Sequence, residues 1–204
     1  NLNGRSAAES VFIRPVNSLT FISTYFRPGF LGGDHSFKFG GYWRDSNTTS
    51  INHTGGYGTV RFPNSAANDC SVQATNCEVD LVRDGYSVYD LLNYSAYVQD
   101  TITKGRTTLQ LGLRYDYNKD TAEASSIVAN PLGGPWLPAI NFPGADPGVA
   151  FNDFSPRLGI TYNVTGDGRT LARANYARYF GQVGNGGVAA TVNPVGSTTL
   201  RYPW

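Results

Sequence analysis

The stretch Leu109-Gln-Leu-Gly-Leu-Arg-Tyr-Asp-Tyr117 alternates between apolar and polar residues over its whole length. Its odd positions carry Leu and Tyr, whereas its even positions carry Gln, Gly, Arg and Asp. Successive side chains of a β-strand point to opposite faces of the sheet, so this pattern predicts a strand with one apolar and one polar face. A slip of one residue would carry Arg114 and Asp116 to the apolar face, so the alternation also favours a single register.

Five further segments carry the same two-residue period. In residues 157–164, Leu158 and Ile160 share a face with Tyr162, while Arg157 lies on the opposite face. The other predicted strands cover residues 17–26, 36–44, 89–103 and 169–180. No segment has a 3.6-residue period over three turns, so the sequence predicts an all-β, antiparallel fold with little helix.

Short and long connections alternate along the chain. Tight links fall at residues 103–106 and 165–168, with a longer one at 27–34, and their Gly and Asp residues suit the positive φ of hairpin turns. Polar stretches of 42 and 37 residues separate them, at residues 45–86 and 118–154. A soluble β-sandwich also alternates and has Gly-rich turns. Long loops at one end and short turns at the other instead favour a transmembrane barrel with short periplasmic turns and long extracellular loops.

The composition agrees with a membrane barrel. Charged residues make up 15% and aromatic residues 13% of the chain, with 24 Gly, whereas soluble domains carry about 25% charged residues. The net charge of +1 offers no basic patch for nucleic acid, and no apolar run reaches the roughly 18 residues of a transmembrane helix.

Motifs for enzymatic chemistry are absent from the sequence. There is no Gly-x-Ser-x-Gly, His-Glu-x-x-His or P-loop pattern, so we expect no enzyme activity and no cofactor. The Gly-rich residues 55–58 and 184–187 are interpreted as flexible loops. Asp116, Asp120 and Glu123 could form a paired-carboxylate site, but solvated charges are the better interpretation, since Asp116 lies on a strand and the other two begin a loop.

Six strands in three hairpins are too few for a closed barrel, because bacterial barrels begin at about eight strands. Open sheet edges cannot be satisfied by lipid, so either neighbouring chains complete the barrel or the sequence is a part of a longer protein. The chain starts at Asn1, contains no Met and shows no signal peptide. We therefore expect residues 1–204 to form one partial outer-membrane barrel domain, without plug domain or closing strand.

The two cysteines, Cys70 and Cys77, lie in a polar segment with six residues between them. This spacing favours a small local disulfide, which requires an oxidising compartment such as the periplasm or cell exterior. Free thiols remain an alternative. Metal binding is the weakest one, because His35 and His53 are distant in sequence.

Several motifs together resemble a known family. They are Leu31-Gly-Gly-Asp-His-Ser-Phe-Lys-Phe-Gly40, Asn93-Tyr-Ser-Ala-Tyr-Val-Gln-Asp100, Leu111-Gly-Leu-Arg-Tyr-Asp116, Phe142-Pro-Gly-Ala-Asp-Pro-Gly-Val-Ala-Phe-Asn-Asp153, Phe154-Ser-Pro-Arg-Leu-Gly-Ile-Thr-Tyr162 and Arg173-Ala-Asn-Tyr-Ala-Arg-Tyr179. In order and spacing they resemble TonB-dependent receptors of the outer membrane, most closely the Oar-like subgroup. The resemblance covers residues 17–204 and implies the middle section of a large barrel.

That resemblance implies a receptor that binds a solute at the cell surface and imports it, with outer-membrane lipid, its own plug domain and, through the plug, TonB as partners. The alternatives are a barrel-anchored surface or adhesion protein and an Oar-like exporter. The alternation assigns six charged residues to the lumen, where they could meet plug carboxylates, hydrate the lumen or pair with each other. They are Lys38, Arg44, Arg114, Asp116, Arg157 and Arg173.

Overall fold

The computed structural model describes residues 8–61 and 78–203, and its elements are twelve β-strands and two short 3-10 helices. The helices are Gly55–Tyr57 and Ala189–Val192. No helix in the described residues is long and apolar enough to cross a membrane. The strands are β1 (Ala8–Ile13), β2 (Val16–Phe30), β3 (Gly33–Thr54), β4 (Gly58–Arg61), β5 (Glu78–Arg83), β6 (Gly85–Lys104), β7 (Thr107–Ala122), β8 (Ser125–Ile127), β9 (Ile140–Phe142), β10 (Phe151–Asn163), β11 (Leu171–Ala177) and β12 (Thr198–Pro203).

The main sheet is antiparallel and follows the order β1-β3-β6-β7-β10-β11, with β2 also paired to β3. β1 and β2 are two parts of one edge strand, because they pair with successive halves of β3 and are separated only at Arg14 and Pro15. Proline has no N–H group to donate, which breaks the ladder at this point. The sheet thus has six columns of consecutive, up-and-down strands, which confirms the expected partial barrel. In the described residues the barrel is not closed.

Several strands extend further than the alternation predicted, whereas β11, predicted over residues 169–180, covers only Leu171–Ala177. β3 has 22 residues and β6 has 20, and they stay paired as far as Asn52 and Gly85. β7 likewise continues to Ala122. The prediction of loop throughout residues 45–86 and 118–154 was therefore wrong at both ends of each stretch. Apolar alternation ends near the middle of these strands, but backbone hydrogen bonds continue among the polar residues beyond it.

The three short connections are tight turns, as predicted. In the first, Phe30 pairs with Gly33, and Leu31 and Gly32 between them both adopt positive φ. Gly105 has a φ of 57° in the second turn. Asp34 does not supply the positive φ that the sequence suggested for it. Its carboxylate Oδ1 instead accepts a hydrogen bond from the backbone N–H of Gly29 at 3.0 Å.

One face of the main sheet is apolar and exposed. Leu111, directly across from Leu158, keeps 45% of its surface accessible. A β-sandwich would bury this face against a second sheet, whereas a barrel exposes it to lipid. The face ends in a row of aromatic rings, in which Tyr94 stacks on Tyr117 at 4.5 Å between ring centroids. Such a row is typical of the aromatic girdle at a membrane interface.

The compact core lies at the long-loop end and not within the sheet. Ala122, Phe142, Ala189 and Val195 are buried together there. The small sheets β12-β5-β4 and β8-β9 are built from the same loop regions. Residues 178–197, which we call the return segment, follow β11 and fold back across the strands of the main sheet: Asn185 Nδ2 donates to the carbonyl oxygen of Ser46 at 2.6 Å.

Candidate functional site

The second face of the main sheet carries the charged residues that the sequence assigned to the lumen. Lys38 pairs across with Gln99, Gln99 with Gly112, and Gly112 with Arg157. Residues directly opposite each other in antiparallel strands project to the same side. Lys38 and Arg157 therefore share one face, at the two ends of a row that spans the four strands β3-β6-β7-β10.

The same register places the other four candidates on this face. Arg114 and Asp116 follow Gly112 with a period of two along β7. Arg44 follows Lys38 along β3 in the same way, and Arg173 lies across from Thr161 of β10. The six residues thus lie on one side of the sheet, which we call the polar face.

Arg114 and Asp116 form an ion pair with each other. Arg114 donates from Nε to Asp116 Oδ2 at 2.8 Å and from Nη2 to Asp116 Oδ1 at 2.7 Å. Its Nη2 also donates to Ser95 Oγ at 3.0 Å. This two-point geometry is the stronger form of an Arg–carboxylate contact. Mutual pairing, one of the alternatives left open by the sequence, therefore holds for these two residues.

The other four candidates are cations without such a partner. Within residues 8–61 and 78–203, none of Lys38, Arg44, Arg157 and Arg173 forms an ion pair. Lys38, Arg157 and Arg173 are exposed, while the Nε of the half-buried Arg44 is buried without a hydrogen-bond acceptor. The Arg157 guanidinium lies 5.2 Å from the ring centroid of Tyr179, over the ring face. Five of the six candidates are thus cations, while Asp120 and Asp153 are further carboxylates on the same face.

Asp120 is not the solvated loop residue that the sequence suggested. It lies inside β7, with only 1% of its surface exposed. Its Oδ2 accepts hydrogen bonds from the backbone N–H groups of Val188 and Ala189, at 3.0 and 3.1 Å. Asp120 thereby fixes the return segment on the polar face. The sequence gives no local signal for this role, since the bonded residues are 68 and 69 positions apart.

Sequence reasoning also missed two polar pairs within the sheet. Asn93 and Asn118 lie opposite each other on the polar face, and the Asn93 amide donates to the Asn118 side-chain oxygen. On the apolar face, His35 Nδ1 lies 2.6 Å from Asp100 Oδ2, beside the rings of Phe30 and Phe37. A charged residue can be held on an apolar face in this way, because its partner and the surrounding rings separate it from lipid.

The cysteine prediction falls outside the described residues, because Cys70 and Cys77 both lie in residues 62–77. The Gly-rich residues 55–58, expected to be a loop, instead form a 3-10 helix at Gly55–Tyr57 followed by β4. Their φ values include 72° at Gly56, a conformation that favours glycine.

The comparisons with known proteins agree with this architecture. The family model described as TonB dependent receptor-like, β-barrel matches residues 3–201. No curated protein and no solved structure matches the chain. Proteins of this family have receptor and transporter roles in the outer membrane of Gram-negative bacteria. Since the match spans nearly the whole sequence, the chain belongs to the TonB-dependent receptor-like β-barrel family.

Proposed function

We propose that this chain forms part of the barrel wall of a receptor that binds a solute at the cell surface and imports it. The observation that carries the proposal is the division of six consecutive antiparallel strands into an exposed apolar face and a polar, charged face. In a transmembrane barrel the apolar face contacts lipid and the polar face lines the lumen. The family membership supplies the receptor role.

On this proposal the apolar face lies in the lipid of the outer membrane. The rings of Tyr94, Tyr115 and Phe154 mark its outer limit, since they lie toward the long-loop end of the strands. The turns at Leu31, Gly105 and Gly166 are then periplasmic. This orientation places the small sheets and the part of the return segment held by Asp120 toward the outside of the cell. Residues 179–182 of the return segment lie deeper, against the polar face beside Arg157.

The polar face then lies against whatever fills the lumen. Plug domains of the family occupy that space, and TonB acts on the barrel through the plug. Lys38, Arg44, Arg157 and Arg173 offer positive charge toward this volume, whereas Arg114 is already paired with Asp116. Carboxylates of a plug are the natural partners of such cations.

Import can be tested in the full-length parent protein, expressed in a Gram-negative host with and without a functional TonB. Cells are grown in a complex medium, and mass spectrometry follows the depletion of medium components. We expect at least one component to be taken up only when both the receptor and TonB are present. Identical profiles in the two hosts would reject import and favour the barrel-anchored surface or export role.

A further inference from the structure

Two adjoining cavities open on the polar face, each of about 180 Å³. Arg114 and Arg157 line both of them, so the cavities form one groove with these two side chains at its centre. The groove begins beside Lys38 and ends against residues 179–182 of the return segment.

The floor of the groove is set by the strand register. Lys38, Gln99, Gly112 and Arg157 form one row across four strands. With neighbouring strands about 4.8 Å apart, the two cationic residues of the row are separated by roughly 14 Å at the backbone. Gly112 has no side chain, which leaves space on the floor between Gln99 and Arg157.

The charge of the groove is positive. Lys38, Arg114 and Arg157 line it, and Asp116 is the one carboxylate among the residues lining the two cavities. Asp116 is occupied by Arg114, so two cations remain without a carboxylate. Asp153 lies across from Asp116, two rows from the row of Lys38 and Arg157, and does not line the groove. A confined site with one sign of charge attracts ions of the opposite sign.

The return segment closes one end of the groove. Tyr179 and Phe180 line the second cavity, and Arg157 lies over the Tyr179 ring. Asp120 and Ser46 hold the segment in place through hydrogen bonds to Ala189 and Asn185. A cavity of this size between the main sheet and the return segment can hold a small chemical group, whereas the surface of a folded domain is too large to enter it.

We propose that this groove binds the anionic group of the solute, a carboxylate or a phosphate, that enters the barrel; the inference rests on the proposed receptor function. The fork of Arg157 can donate two parallel hydrogen bonds to such a group. Lys38 provides a second charge from the opposite end of the row. Tyr179, beside Arg157, offers an aromatic ring to the uncharged body of the same ligand.

The test uses the full-length receptor in detergent and isothermal titration calorimetry. The probes are succinate for carboxylates, glucose 6-phosphate for phosphates and glucose as the neutral comparison. We expect at least one anionic probe to bind and glucose not to bind. Whichever anion binds identifies the class of group that the groove takes. Failure of both anions to bind the wild-type receptor would overturn the proposal, as would occupation of the groove by a plug carboxylate that prevents binding.

Four variants locate the binding. Arg157→Gln and Lys38→Gln should each weaken the anionic probe about tenfold or more, because each removes a charged donor. Gly112→Gln should abolish binding by filling the floor; a Cβ at Gly112 would meet its nearest side-chain atoms at 3.6 Å, an ordinary contact. Arg173→Gln is the control, since it removes a cation of the same face outside the groove.

Heat modifiability on gels confirms folding of each variant. Equal weakening by Arg157→Gln and Arg173→Gln would overturn the proposal, since it would mean that the charge of the whole face attracts the anion. Binding in detergent does not require TonB. Anion binding without TonB-dependent uptake would therefore reject only the import function. Uptake without anion binding would reject only the proposal that the groove binds an anionic group.

Discussion

Gly40 lies directly across from Tyr97 on the polar face, and the tyrosine ring covers the place where a side chain of Gly40 would project. A Cβ atom built at Gly40 would come within 2.8 Å of the Tyr97 ring and within 2.5 Å of the carbonyl oxygen of Phe21. The backbone of β2 cannot withdraw from this contact without losing its pairing with β3. The glycine is therefore required by the close approach of ring and strand.

Gly40→Ala should consequently destabilise the full-length barrel by about 1–3 kcal/mol, the usual cost of overpacking. Gly112→Ala is the matched control on the same face, because its Cβ would meet only side-chain atoms at 3.6 Å. Urea unfolding of both variants in detergent, followed by tryptophan fluorescence, measures the difference. Equal stability of the two variants would contradict the contact between Tyr97 and Gly40.

The facing of β7 gives a second prediction. Leu111→Arg should impair folding of the full-length protein, because an arginine on the lipid face costs roughly 2–4 kcal/mol at the bilayer midplane. Arg114→Gln should leave folding largely intact, since Arg114 lies on the polar face. Heat modifiability and denaturant titration compare the two variants. If they lose the same stability, both faces are buried in protein and the membrane assignment is wrong.

Asp120 should control the order of the return segment. In Asp120→Ala the backbone N–H groups of Val188 and Ala189 lose their acceptor, at a cost of about 1–3 kcal/mol for buried donors. We expect faster hydrogen exchange at these two amides and faster proteolysis within residues 181–187. Glu123→Ala, which removes an exposed carboxylate near the end of β7, should leave both unchanged. Unaltered exchange in Asp120→Ala would show that the segment is held by other contacts.

A pH-dependent effect is expected at Asp90, beyond the outer aromatic row. Burial raises the pKa of Asp90 above its ordinary value of 3.8, and repulsion from Asp45 and Glu123 raises it further. A raised pKa in the folded state means that the protonated group is favoured. The contribution of protonated Asp90 to the free energy of unfolding is therefore present below the unfolded-state pKa, and it is lost as the pH rises through the folded-state pKa.

Asp90→Asn should therefore stabilise the protein at pH 7 and lose this advantage near pH 3, where the wild-type carboxyl is also neutral. Urea midpoints at the two pH values measure the change. Asp153→Asn serves as the control, because it removes a different strand carboxylate. A stabilisation by Asp90→Asn that is the same at both pH values would contradict the electrostatic cause.

The strand order and the two faces could be predicted because a lipid-facing surface and a lumen-facing surface require side chains of opposite polarity. Along residues 109–117 each position differs from the next in polarity, so strand, register and face follow together. The six charged residues of the polar face could be placed in the same way. Residues 45–54 offered no such contrast, since Ser, Thr and Asn are polar on both faces, and the strand there is fixed by its pairing with β6.

The groove could be predicted only in part. Its cations follow from alternation, but its closed end depends on how the chain returns after β11. That path is set by contacts between distant residues, such as Asp120 with Ala189 and Ser46 with Asn185. The pairing of His35 with Asp100 is similar, because two residues 65 positions apart meet only through the register of β3 and β6.

The extension of β3 and β6 beyond the outer aromatic row has a consequence for how immune molecules meet this protein. β3 and β6 remain a hydrogen-bonded pair up to Asn52 and Gly85, so neighbouring side chains there come from two distant parts of the sequence. An antibody against this folded strand pair would recognise that combination. Serum raised against a synthetic peptide of residues 45–54 should bind the denatured chain and fail to label intact cells.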